Sequence, residues 1–113
     1  MTRWMSLTPN GVLHEYDDEP TLKRLQDEVG GYIEAVASPD PALRVSLFVC
    51  DEKVSLEGTP LAGNAKATAF LVRSLWPGQR IVGPLVLCGE PDEEGELTNL
   101  TDEQVAKIKE TFG

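Results

Sequence analysis

The segment DEVGGYIE, residues 27–34, contains the feature that most constrains the fold, a pair of adjacent glycines. A helical pattern of apolar residues precedes Gly30, and an extended run begins at Tyr32. Glycine adopts positive φ at little cost, so this pair can end a helix and allow two elements to meet closely. Phosphate-binding glycine loops follow a strand and open a helix, which is the opposite order. The pair therefore predicts a helix stop.

Turn signals and apolar runs predict the strands. Asn10-Gly11 is typical of a type I′ turn, in which both central residues take positive φ, so residues 3–16 are expected to form a hairpin. Further strands are predicted over residues 32–37, 43–50 and 81–88, with a possible short partner strand at 54–56. The last run is almost continuously apolar, which indicates a central strand covered on both faces, although Pro84 favours a bulge or an edge.

Caps and periodicity predict three helices. The first begins after Thr21, the second covers about residues 64–75, and the third begins after Thr101, where Gln104 completes a capping box. Strands and helices interleave without the regular spacing of a doubly wound fold. We therefore expect one α+β domain over residues 1–113, with one mixed, mostly antiparallel sheet of about five strands and three helices packed mainly on one face.

The charge distribution limits the classes of partner. The net charge is −9, and nine acidic residues lie in two short segments. They are Glu15, Asp17, Asp18 and Glu19 in the first segment, and Glu90, Asp92, Glu93, Glu94 and Glu96 in the second. Direct binding of nucleic acid or anionic lipid requires clustered Lys and Arg, so neither is expected. The second segment lacks the alternating ligands of an EF-hand. We interpret it as a solvated loop, with weak cation binding or a patch facing a partner as the alternatives.

Apolar segments and cysteines bear on location. No run of 18 apolar residues occurs, and the N-terminus lacks the apolar stretch of a signal peptide, so a cytoplasmic location is expected. Cys50 and Cys88 match no zinc or redox spacing. They are predicted to be buried reduced thiols, with a disulfide between neighbouring strands as the alternative.

Reactive residues are sparse. His14 is the only histidine, so no His-rich metal site can form, and a catalytic dyad would require a thiol or Ser nearby in space. No Ser lies in a nucleophile-elbow sequence. We predict no catalytic residue, metal or cofactor, and expect that the protein is not an enzyme.

Four polar residues form a candidate ligand pocket. Tyr32 and Glu34 share one face of a strand, and Asn64 and Thr68 share one face of a helix. If the strand face is open, Tyr32 could stack on a nucleotide base while Asn64 and Thr68 bond its edge. The alternative is structural: Asn64 caps the helix, and Thr68 bonds back to a carbonyl.

Segments along most of the chain resemble domain-of-unknown-function family 3846. The resemblance covers about residues 12–108 in order. Its motifs are Thr21-Leu22, Leu25-Gln26, residues 29–34, residues 57–61 with Asn64, Ala67 and Thr68, residues 81–87 without Pro84, and residues 96–104. The chain departs from the family at Lys23 and Arg24, where members usually have an acid, and at Pro84, where they often have Asp. The resemblance implies a small cytoplasmic protein of phages, plasmids and microbial genomes, and it implies no activity.

These observations favour an interaction protein, a phage- or mobile-element-type accessory factor whose acidic surface binds a basic surface of a host protein. One alternative is a protein that binds or sequesters a nucleotide. Another is a DNA mimic that inhibits a nucleic-acid-binding enzyme. A homodimer through Trp4 and the edge of the N-terminal hairpin is also expected to be possible, because an unpaired edge strand invites pairing.

Overall fold

A computed structural model describes residues 1–51, 58, 60–72, 75 and 77–113. The predicted partner strand at 54–56 lies outside the described residues. The described elements are β1 (Trp4–Leu7), β2 (Leu13–Tyr16), α1 (Leu22–Val29), β3 (Ile33–Val36), β4 (Ser46–Cys50), α2 (Ala65–Phe70), β5 (Leu85–Cys88) and α3 (Asp102–Phe112). No described helix is long and apolar enough to cross a bilayer.

The strands form one five-stranded sheet in the order β2-β1-β5-β4-β3. Every neighbouring pair is antiparallel, so the α+β prediction is confirmed and the mixed alternative is not needed. The strand β5 is central and buried along its whole length, as its apolar sequence predicts. Pro84 lies directly before β5, where its missing N–H interrupts no described pairing, so the edge interpretation was wrong.

Helices cover both faces of the sheet. Alternation along β1 and β5 divides their side chains between two apolar clusters. On one face, Leu25 and Val29 of α1 pack in a cluster with Trp4 and Val86. The opposite face is covered by α2 and α3. Ala67 of α2, Leu71 directly after α2, and Ile108 and Phe112 of α3 belong to the larger cluster. Two of the three helices thus share a face, as expected.

Local signals set most element ends. The Thr21 hydroxyl accepts from Arg24 N at the start of α1, and Gly30 ends this helix with φ 80°. Thr101 and Gln104 form the predicted capping box of α3. The predicted type I′ turn is wrong, because Gly11 has positive φ, at 85°, whereas Asn10 does not.

The loop between β1 and β2 is longer than a two-residue turn. Gly11 N donates to Thr8 O, and Thr8 N donates to Val12 O. A turn followed by one left-handed glycine is the pattern of a hairpin loop that ends in a bulge. One residue with positive φ is then sufficient, and Asn10 keeps ordinary backbone geometry.

Candidate functional site

Asn64 from the predicted ligand pocket is buried, with 1% of its surface exposed. Its Oδ1 accepts from Ala67 N and caps α2, at 3.1 Å. Its Nδ2 donates to Leu7 O at 2.9 Å and to Gly83 O at 3.0 Å. Both amide protons are therefore used within the fold, and the side chain links the end of β1 to the start of α2 and the segment before β5.

Thr68 is equally engaged. Its hydroxyl donates to Asn64 O at 2.8 Å and accepts from Ile81 N at 2.8 Å. These are the contacts of the structural alternative, a helix cap and a bond back to a carbonyl. A nucleotide that formed hydrogen bonds with Asn64 and Thr68 would have to displace these internal bonds.

Tyr32 and Glu34 lie on the edge of the sheet. Tyr32 is 54% exposed just before β3, and the exposed Glu34 lies opposite Val49 of β4. The register places Tyr32 at the same end of the sheet as Asn64. The strand β4 lies between β3 and β5, so the β3 edge is about 10 Å from β5. No hydrogen bond or ion pair joins the two pairs of residues in the described structure, and the pocket stays a prediction.

Three segments of the family resemblance meet at this end of the sheet. Gly83, with φ 71°, donates from its N–H to Ala62 O at 2.8 Å. A Cβ at this position would lie 3.4 Å from Leu61 Cδ1 and 3.8 Å from Val29 O. The end of α1, the loop before α2 and the segment before β5 therefore pack closely here, and no sequence pattern predicts this convergence.

The acidic residues divide by their partners. Glu15 pairs with Lys109 at 3.2 Å, Asp18 with Arg24 at 2.9 Å, and Glu90 with Arg44 at 3.4 Å. Contacts with Thr2 and Lys109 lower the pKa of Glu15. Asp92 instead orders its own loop, because its Oδ1 accepts from Glu94 N and Glu96 N, both at 2.9 Å.

Six of the nine acidic side chains are exposed and make no ion pair with any described residue. They are Asp17, Glu19, Asp92, Glu93, Glu94 and Glu96. The sheet register brings their two segments together. Trp4 pairs with Tyr16, Met5 pairs with Leu87, and Leu100 N donates to Arg3 O. Residues 17–19 and 90–96 therefore leave the sheet at the same end, which we call the acidic end.

The convergence on the acidic end follows from strand order and could not be read from the sequence. The order β2-β1-β5 puts one strand between the two that lead into the acidic segments, which corresponds to about 10 Å. Asn64 and Gly83 lie at the opposite end of the same sheet.

A polar cluster that was not predicted from the sequence lies beneath α1. Glu28 Oε2 accepts from Ser6 Oγ at 3.0 Å and from Tyr16 Oη at 2.9 Å. The Arg24 guanidinium lies 4.8 Å from the centre of the Trp4 ring and contacts Glu28 at 3.4 Å. The spacing of Arg24 and Glu28, four residues apart in a helix, was the available signal.

The carboxylates of Asp18 and Glu28 favour the charged form of Arg24. Burial would lower the pKa of Arg24, but Asp18 and Glu28 more than offset this effect and raise it. Burial and the Glu28 carboxylate raise the pKa of Tyr16. No buried side-chain polar atom of the described residues lacks a hydrogen-bond partner, so the cluster acts as a brace between α1, β1 and β2.

Ser6 lies opposite His14 in the sheet register, and its hydroxyl donates to Glu28 Oε2 rather than to the imidazole. His14 is exposed on β2, and the described part of the chain has no group of three or more His, Cys, Asp or Glu suited to a metal ion. Cys50 and Cys88 are both free and buried, so the disulfide alternative is not found. Ser46, rather than Cys50, lies opposite Cys88, and burial raises the pKa of the Cys88 thiol to about 12.

Two surface clefts of the described residues lie away from the predicted pocket. A cleft of about 480 Å³ beside α3 is lined by charges of both signs, including Arg44, Glu90, Glu103 and Lys107. A second, of about 390 Å³, lies between α2 and the C-terminus. None of the four predicted pocket residues lines either cleft. The first cleft lacks the predominantly apolar wall that small-molecule sites usually have.

Comparison with known proteins gives one match. The model of the family described as domain of unknown function (DUF3846) matches residues 3–113. No curated protein and no solved structure matches the chain.

Proposed function

The chain belongs to the DUF3846 family of domains of unknown function, whose description assigns no activity, and from the structure we propose that it is a small acidic accessory protein. In this proposal the acidic end binds a basic surface of a partner protein. We further propose that it is a cytoplasmic protein of the phage or mobile-element type and that the partner is a host protein.

The observation that carries this proposal is the placement of the unpaired carboxylates. The two acidic segments leave the sheet at one end, and six of their side chains have no cationic partner among the described residues. Neighbouring like charges add their potentials, so this end attracts a basic surface and repels phosphate. Such a field speeds association and selects partners by charge more than it adds affinity.

Three described residues outside the acidic end support binding rather than chemistry. The side chains of Asn64 and Thr68 form hydrogen bonds within the fold, and the Cys88 thiol is protonated at neutral pH. DNA mimicry would use the same acidic end, and the identity of the captured partner distinguishes it: a mimic would bind the nucleic-acid-binding surface of its target.

The test begins with affinity capture from the native cell, followed by association kinetics with the purified partner. Neutralising Asp17, Glu93 and Glu96 to Asn, Gln and Gln removes charge from both acidic segments. We expect the association rate constant of this variant to fall roughly tenfold at low salt, and the wild-type rate to fall steeply as salt is added.

A matched variant separates the acidic end from the overall charge. Replacing Asp27, Asp51 and Glu110 with Asn, Asn and Gln also removes three exposed negative charges, but outside the two acidic segments. Its association rate should remain close to that of the wild type. Capture that is insensitive to salt, or an equal loss of rate in both variants, would remove the proposal.

A further inference from the structure

The helix α1 carries charges that oppose its own dipole. Lys23 and Arg24 lie in its first turn, and Asp27 and Glu28 lie in its last turn. The start of a helix favours acids and its end favours bases, so both ends of α1 have the less favourable sign. A basic residue four positions before its acidic partner is also the weaker order for such a pair. Because eight residues form a marginal helix in isolation, α1 depends on its tertiary contacts.

The helix α3, on the other face of the sheet, shows the opposite arrangement. Its first turn contains Asp102 and Glu103, its last turn contains Lys109, and a capping box closes its start. Its eleven residues therefore carry charges that agree with the helix dipole. The helices α1 and α3 thus differ in intrinsic stability.

Ionic contacts attach the polar side of α1 to the hairpin. The Asp18 carboxylate accepts from Arg24 Nε at 2.9 Å and from Trp4 Nε1 at 3.2 Å. Glu28 contacts the same guanidinium at 3.4 Å and accepts from two hydroxyl groups of β1 and β2. The apolar side of α1 adds only two buried side chains. Loss of the Arg24 contacts would therefore remove the ionic part of a small attachment.

The face beneath α1 contains both cysteines. Cys50 and Cys88 belong to the same apolar cluster as the buried side chains of α1, and Cys88 is fully buried on the central strand. Trp4, which the sequence analysis placed in a dimer contact, belongs to this cluster too and is fully buried beneath Arg24. Movement of α1 away from the sheet would uncover this face.

We propose that α1 is a lid that opens locally from the sheet while the five strands, α2 and α3 stay folded. The ion pairs of Arg24 with Asp18 and Glu28 latch the lid, and the open form exposes the Cys88 thiol. Segments that are held by few contacts open at a lower free energy than the whole fold. The open form is a minor part of the native population, so unfolding in urea remains a single transition.

The accessibility of the thiol tests the lid. Labelling of the native full chain with N-ethylmaleimide, followed by peptide mass spectrometry, measures the rate at which Cys88 reacts. This rate should depend only weakly on urea below the unfolding transition, because opening of α1 exposes little surface. Amide exchange supplies a second readout: the amides of Leu25 and Val29 should exchange faster than that of Ile108 and with a weaker dependence on urea.

Three variants, each checked for folding by a thermal melt, separate local opening from global unfolding. Arg24→Gln removes the latch and should raise the labelling rate of Cys88 roughly tenfold. Thr21→Asp makes the same change in net charge but keeps a cap acceptor and complements the dipole, so it should lower the rate about two- to fivefold. Ile108→Val weakens the core on the other face and should leave the rate within about twofold of the wild type.

Two results would show that Cys88 reacts only through unfolding of the whole chain and would overturn the proposal. One is an equal rise of the labelling rate in Arg24→Gln and Ile108→Val. The other is the same steep urea dependence for Cys88 labelling and for exchange of the Ile108 amide. A labelling rate that Arg24→Gln leaves unchanged would equally exclude the latch.

Discussion

The buried side chain of Asn64 joins three separate segments of the chain. It caps α2, bonds the end of β1 and bonds Gly83 before β5. Each bond is worth little net, but an unpaired buried carbonyl loses its full hydration. The position therefore demands a residue with one acceptor and two donors on a short side chain, which Asn supplies.

We predict that Asn64→Ala lowers the free energy of unfolding by about 2–4 kcal/mol, because it removes a cap and leaves the carbonyls of Leu7 and Gly83 unpaired. Urea denaturation measures this change. Asn99→Ala, at an exposed asparagine, should stay within about 0.5 kcal/mol of the wild type. A similar small effect at Asn64 would show that water or neighbouring groups replace the amide.

The buried Cys88 thiol makes the free energy of unfolding depend on pH in the alkaline range. Burial holds its pKa near 12 in the folded protein, above the ordinary thiol value of 9.0. The folded state therefore keeps a proton that the unfolded state releases, so stability is fully present below pH 9.0 and is lost as pH rises towards 12. The limiting slope is about 1.4 kcal/mol per pH unit.

Denaturation curves between pH 8 and pH 11 would measure that slope. Cys88→Ala should flatten it, because the variant has no thiol to ionise at this position, although its stability at pH 7 should be lower. Tyr16, whose pKa is also raised, gives a loss of the same sign in both proteins. Identical slopes for the two proteins would contradict the buried, protonated thiol.

At the scale of elements, short strands and helices are fixed by the contacts at their ends. β5 has only four residues, and directly after it Gly89 N donates to Thr98 O at 3.0 Å. A Cβ at Gly89 would overlap Thr98 Oγ1 and Asn99 O. Glycine is required here because two backbone segments approach closely. The contact holds Thr98 and Asn99, in the loop before α3, against the end of β5.

We predict that Gly89→Ala destabilises the protein by about 1–3 kcal/mol, because the segment carrying Thr98 must move away. Thermal or urea unfolding would measure this. Gly63→Ala is the matched control: the nearest atom to its Cβ would be Arg80 Cδ at 3.9 Å, and its φ is not positive. That substitution should be neutral or slightly stabilising. Equal effects at the two glycines would contradict the role of close packing.

At the scale of the whole molecule, the sheet separates two apolar clusters. Leu25 of α1 belongs to one, and Ile108 of α3 belongs to the other; both are fully buried. Residues without shared partners usually contribute independently to stability. The strands contribute alternate side chains to both clusters, so the protein is still expected to unfold as one unit.

We therefore predict that Leu25→Ala costs about 2–5 kcal/mol and Ile108→Val about 0.5–1.5 kcal/mol. In the double variant the two losses should add within about 0.5 kcal/mol. Val72→Ala, at a side chain that is 61% exposed, controls for a general effect of truncation. A coupling energy above about 1 kcal/mol would show that the two faces communicate through the sheet.

Helix caps and turns follow from residues that are close together in the chain. Thr21, Gly30, Thr101 and Gln104 act on atoms within four residues of themselves, so their caps could be predicted and were confirmed. The apolar run of β5 likewise predicted a strand covered on both faces. Asn64 and Thr68 were recognised as a pair, and the structural alternative named for them describes the bonds they make.

Contacts across the sheet depend on strand order, which local sequence patterns do not specify. Antiparallel strand order brings residues 17–19 and 90–96 to one end and joins Asn64 to Leu7 and Gly83, contacts between residues far apart in the chain. The same order leaves β3 on one edge and the acidic β2 on the other. Periodicity reports which side of an element is buried, but not which element covers it, because many pairings of the same strands bury the same apolar faces.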